Sequence, residues 1–148
     1  MPDTANSVYF QLFKEIGILE QLSRAFLEAR LPDGLIAPHF GVLNHLISVG
    51  DGSTPVELAR TFQVPKTSMT HTLAGLEKHG LVEMRPNPAD GRSKKVWLKP
   101  EGRKMRDATI AALGPEFEGI ATAVSLGEVE QVLPILTKLR VFLDNARN

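Results

Sequence analysis

The chain contains no cysteine. Disulfides, thiolate metal centres and thiol-based redox sensing are excluded in one step. No apolar run approaches the ~18 residues that a membrane-spanning helix requires. The N-terminal stretch carries neither a basic n-region nor an apolar h-region, so no secretory leader is read there. The expected location is the cytoplasm, with no membrane partner. Catalytic signatures are missing too: there is no glycine-rich phosphate loop, no Gly-x-Ser-x-Gly elbow and no His-Glu-x-x-His motif. Neither an enzyme nor a cofactor is expected. The histidines are His39, His45, His71 and His79. They include no His-x-x-x-His pair, and His39 and His45 point to different sides of one helix, so no metal site is expected.

Net charge is also lacking, since 17 basic and 17 acidic residues cancel. The distribution is uneven, however. From Pro55 to Lys104 ten Lys/Arg face five Asp/Glu, a net of +5, which leaves seven against twelve elsewhere, a net of −5. Local charge, not the sum, sets attraction to phosphates. A basic lobe with acidic flanks therefore fits a nucleic-acid partner. With 148 residues, 43% of them hydrophobic, the chain has material for one core and an oligomerisation arm.

Apolar residues recur three and four apart from Tyr9 to Leu27, predicting a helix from Val8 to Arg30 that Leu31-Pro32-Asp33-Gly34 ends. A second helix is predicted from Pro38 to Val49, followed by a turn at Gly50–Ser53. Thr54-Pro55-Val56-Glu57 is a capping box with proline at the first helical position. It opens a short helix ending near Phe62. Gln63-Val64-Pro65 forms a corner, and the next helix runs from Lys66 to His79, with Gly80 as its left-handed stop. Two short strands, Leu81–Arg85 and Lys94–Leu98, are joined by a loop from Pro86 to Ser93. Helix returns from Glu101 to Leu113, breaks at Gly114-Pro115, and a last helix covers Leu126 to Asn145, with Pro134 inside it.

A recognition helix needs one apolar face to seat it and one face of short polar groups that can approach base edges. Lys66 to Lys78 meets that specification. Met69, Leu73 and Leu76 share the inner face, while Thr67, Ser68, Thr70, His71 and Lys78 fall outside it. Lys66 lies at the helix start, where amides bind phosphate. The hairpin that follows carries Asp90-Gly91-Arg92-Ser93-Lys94-Lys95. Such a sequence is the footprint of a wing, with Arg92 suited to the minor groove, Lys94 and Lys95 to flanking phosphates, and Asp90 to bracing Arg92 or capping the turn. The terminal helices have more apolar surface than one small lobe covers, which marks a dimer surface. The alternative is that the two ends pack on each other within one chain.

Taken together these residues resemble the MarR family of winged-helix transcriptional regulators. The likeness is sharpest from Leu58 to Gly102: Leu58-Ala59-Arg60 and Val64–Thr70 are similar to its helix-turn-helix, Leu76–Val82 to its helix-to-strand junction, and Asp90-Gly91-Arg92-Ser93 with Val96, Leu98 and Gly102 to its wing. The resemblance implies a homodimer clasped by the first and last helices, bound to a pseudo-palindromic operator in double-stranded DNA, usually as a repressor. It also implies a small, often aromatic or phenolic effector that sits between the dimerisation helices and the DNA lobe and releases DNA. Pro65 and Lys99 depart from the pattern, standing where the family often has helix-capping Ser or Thr. The missing cysteine excludes its thiol-based peroxide sensing.

The expected fold is mainly α with a small β-hairpin wing. It is a single domain over 1–148, with a winged helix-turn-helix lobe at about 38–104 and dimerisation helices at about 1–34 and 114–148. Candidate effector-pocket residues are Tyr9, Phe13, His39, Phe40, Leu43 and Asn44. The alternative for the polar pair is a role as helix cap or surface group. A winged helix used only for protein contacts is the competing functional reading.

Overall fold

The computed structural model describes residues 2–147. Its elements are α1 (Pro2–Glu28), α2 (Ala37–Val49), α3 (Pro55–Phe62), α4 (Lys66–Lys78), β1 (Val82–Asn87), β2 (Asp90–Leu98), α5 (Pro100–Ala112), α6 (Gly114–Ala123) and α7 (Leu126–Ala146). The predominantly helical fold with a single antiparallel hairpin is the one the sequence predicts. The chain divides after Ala112 into two compact units.

In the first unit, α2 to β2 surround a core built from Phe40, Val42, Leu43 and Leu46 of α2, Leu58 of α3, Met69, Leu73 and Leu76 of α4, and Val82 and Val96 of the hairpin. Burial of such side chains contributes about 1.5–3 kcal/mol each before entropy is counted. Helix α2 starts under two side-chain caps: the Ile36 N–H donates to His39 Nδ1 at 2.9 Å, and the Ala37 N–H to the Glu28 carboxylate at 2.6 Å. The corner between α3 and α4 closes with Gln63 in the left-handed region (φ 53°), whose N–H returns to the end of α3. Gly80 (φ +73°) stops α4 as its position predicts. Gly102 admits no side chain, because a Cβ there would run into the Leu81 carbonyl oxygen.

The hairpin differs from the sequence reading. Its strands are longer, and only Pro88-Ala89 separates them. Asp90 to Ser93 therefore belong to β2 and not to a loop. Pro86 pairs with Lys94 within the ladder. Proline has no N–H to donate, but in a two-stranded sheet each strand has an open edge, and its missing donor falls there without cost. A third backbone segment, predicted as a simple turn at Gly50–Ser53, joins the sheet. Ser53 bridges Val96, the Gly52 N–H donates to the Val96 carbonyl at 2.9 Å, and the Leu98 N–H donates to Asp51 Oδ1 at 2.7 Å. The base of the wing is thus tied to the loop before α3. On its outer face the Arg85 guanidinium lies 4.2 Å from the Trp97 ring centre.

In the second unit, Gly114-Pro115 begins a helix as well as interrupting one. Pro115 sits at the start of α6, where its fixed φ suits the first turn. A bend of 98° separates α6 from α7. Ser125 and Glu128 form a reciprocal capping box at that bend. Helix α7 runs through Pro134 to Ala146. Among the described residues no single helix is long and apolar enough to cross a membrane.

Candidate nucleic-acid interface

The site begins with the cap of α3. Thr54 Oγ1 accepts the Glu57 N–H at 3.2 Å, while the Glu57 carboxylate accepts the Thr54 N–H at 3.2 Å and its hydroxyl at 2.9 Å. These bonds, the hydroxyl's above all, hold the Glu57 carboxyl below the usual carboxylate range. The box fixes where α3 starts, and through the Gln63 corner it fixes the approach of α4.

Helix α4 presents the two faces its sequence predicts. Met69, Leu73 and Leu76 are buried, and Lys66, Thr67, Ser68, Thr70, His71 and Lys78 are exposed. Pro65 stands at its N-cap and makes no side-chain hydrogen bond to the helix. The first amides of α4 therefore lack a capping side chain, the condition under which a helix start attracts an anion.

The wing lies beside that helix start. A cleft of about 500 Å³ is lined by Lys66 and Thr70 of α4, by Thr54 to Val56 at the start of α3, and by Asn87, Arg92 and Lys94 of the hairpin. Three cations, Lys66, Arg92 and Lys94, and the Thr70 hydroxyl thus meet in one concave surface. Asp90 also lines it, and its carboxylate accepts the Arg92 backbone N–H at 2.9 Å. Lys95 does not line the cleft. It is half-buried, and its charge acts on Glu57. Lys78 sits at the far end of α4, about 18 Å from Lys66 along the axis at 1.5 Å per residue. The contributions of Thr54–Val56, Met84 and Asn87 were not read from sequence. The signal for Asn87 was local: an Asn two residues before a tight-turn amide is an Asx-turn former.

The six candidate pocket residues lie on two helices, Tyr9 and Phe13 on α1 and His39, Phe40, Leu43 and Asn44 on α2. Phe40 and Leu43 are buried in the core, and His39 is 7% exposed. The His39 ring caps α2 and packs on α4, with Nε2 standing 2.7 Å from where a Cβ on Gly75 would lie. Burial, with His79 and His71 nearby, keeps its imidazole below the usual range. Asn44 Oδ1 accepts the Arg106 Nε–H at 2.8 Å, which links α2 to α5. Tyr9 and Phe13 are exposed on α1.

Fold and basic face together define a winged helix-turn-helix protein. Residues 33–93 match the family model described as the MarR family. Wild-type MarR from E. coli in its apo form is 27% identical, covering 86% of this chain and 96% of that one, with a TM-score of 0.72. A mutant E. coli MarR complexed with operator DNA is 27% identical, covering 87% of this chain and 93% of that one, with a TM-score of 0.69. The transcriptional regulator BldR from Sulfolobus solfataricus shares the fold at 24% identity and a TM-score of 0.74, covering 90% of this chain and 94% of that one. Over residues 33–93 the lobe is similar to the MarR family, and the chain has the fold of MarR transcriptional regulators.

Proposed function

We propose that this protein is a sequence-specific regulator of transcription that binds a pseudo-palindromic operator in duplex DNA as a homodimer. The observation that carries this reading is the convergence of Lys66, Thr70, Arg92 and Lys94 on one cleft formed by the start of α4 and the wing. In the proposed complex α4 enters the major groove. Thr70 and His71 meet base edges, while Lys66, Thr67 and Ser68 hold phosphate at the helix start. Arg92 enters the adjacent minor groove, and Lys78, Lys94 and Lys95 contact flanking phosphates. The E. coli relative solved with operator DNA supports duplex DNA as the ligand.

Homodimerisation is proposed from apolar exposure at both ends of the chain. On α1, Tyr9, Phe10, Leu19 and Leu22 are each at least 59% exposed, and on α7 so are Leu126, Ile135 and Phe142. Two-fold symmetry would set two recognition helices about 34–36 Å apart, one turn of DNA. We further propose that the regulator acts as a repressor in the cytoplasm and has no catalytic activity. A small effector releases it by favouring a spacing of the two lobes that misfits the operator. Tyr9 and Phe13 of α1 and His39, Phe40, Leu43 and Asn44 of α2 are the candidates for contact with that effector.

The test is a titration of labelled duplex from upstream of the protein's own gene, across salt and against random-sequence competitor. Competitor-resistant binding with a steep salt slope supports the proposal. Equal, weak binding to both duplexes favours a winged helix that makes protein contacts alone.

A further inference from the structure

We infer that Asn87 is a positioning residue for the wing: a side-chain latch across the hairpin that presets Arg92 for DNA. This inference rests on the DNA-binding reading. Asn87 is the last residue of β1, at the irregularity in register after Pro86, opposite Asp90. Its amide does two things at once. Oδ1 accepts the Ala89 N–H at 3.0 Å and so folds the two-residue turn. Nδ2 donates to Ser93 Oγ at 2.9 Å and so crosses to the opposite strand. The Ser93 hydroxyl in turn donates to the Asp90 carbonyl at 3.5 Å, and the Asp90 carboxylate accepts the Arg92 N–H at 2.9 Å. Three consecutive polar contacts thus run from Asn87 through Ser93 and Asp90 to the backbone of Arg92, with the Ala89 bond as a branch at the turn.

An isolated two-stranded hairpin is marginal in water. Tightening at its base comes from Ser53 and Asp51, which bond near Val96 and Leu98. That leaves the tip, where Arg92 is exposed, to be ordered by its own side chains. Asn87 and Ser93 are the half-buried polar groups of an otherwise exposed tip. A preset tip pays less ordering entropy when Arg92 enters a groove. Asn87 carries no charge, so its contribution belongs to preorganisation and not to phosphate attraction.

This separates it from its neighbours by experiment. Asn87→Ala should weaken operator binding by about tenfold, within the range of one or two net hydrogen bonds. The slope of log K against log salt should stay at the wild-type value, because no phosphate contact is removed. Ser93→Ala should weaken binding similarly, and the double variant should be no weaker than the stronger single one, as expected for two halves of one latch. In free protein, hydrogen exchange of the Arg92 amide should quicken in Asn87→Ala while that of the Val96 amide does not change. Additive losses, or a changed preference among operator sequences, would overturn the latch and make Asn87 a direct DNA contact. A reduced salt slope would also overturn it, since the whole wing would then have come apart. If the wild-type protein binds no duplex specifically, the DNA-binding reading itself fails, and unchanged Arg92 exchange in the variant would dispose of the latch separately.

Discussion

At the scale of single residues, function rests on a few side chains whose partners set what they can do. Arg92 is exposed with its backbone held by Asp90, so its guanidinium is available to a narrow, negatively charged groove. Arg92→Ala should weaken operator binding by at least tenfold and lower the salt slope by about one, with helix content by circular dichroism unaltered. Substitutions at Thr70 and His71 should instead shift which operator is preferred. Uniform weakening across sequences would make them phosphate contacts. His39 carries a different prediction. Burial depresses its pKa, so the unfolded chain takes up the proton first. Stability is fully present above the unfolded histidine value of about 6.5 and is lost as pH falls from there through the folded value. Denaturant titrations at pH 7.5 and 5 should show that loss, and His39→Asn should reduce it. The exposed face of α4 is legible at this scale because chemistry and periodicity agree there. The sequence is compatible with His39 as pocket or cap, since nothing in it says that Gly75 leaves room for the ring.

At the scale of elements, legibility followed the strength of local signals. The α3 capping box, the inner face of α4 and the Gly80 stop depend on residues within a few positions of each other, and all three lie where the sequence predicts. Helix α6 was missed because Gly114-Pro115 reads as a break, whereas proline after a glycine also starts a helix. The wing strands run longer than predicted because Pro86, placed in the loop by its sequence, pairs with Lys94 where its missing donor meets an open edge. The Ser53 bridge joins residues 43 apart in the chain, a pairing that no local pattern encodes. Two substitutions test how these elements are held. Thr54→Ala removes an acceptor and a donor from the α3 cap and should cost about 1 kcal/mol of unfolding free energy, read from a shifted denaturant midpoint at constant slope. Gly102→Ala forces a methyl group onto the Leu81 carbonyl, a backbone atom that cannot rotate away. It should destabilise by about 1–3 kcal/mol or more.

At the scale of the whole molecule, assembly and DNA binding are coupled in the proposed function. Helix α1 and helix α7 each carry exposed large apolar residues, on which the proposed dimer rests. Light scattering should give twice the 16.2 kDa chain mass at micromolar concentration, and charged substitutions at Leu19 or Leu136 should lower it. In the proposed function a homodimer reads a two-part sequence in duplex DNA. It is tested most directly by selecting bound duplexes from a random-sequence library with the purified protein. The account predicts enrichment of an inverted repeat whose half-sites are centred about 10–10.5 base pairs, or a multiple of that, apart, with binding resistant to random competitor. Recovery of no shared sequence, with equal affinity for enriched and unselected DNA, would contradict it.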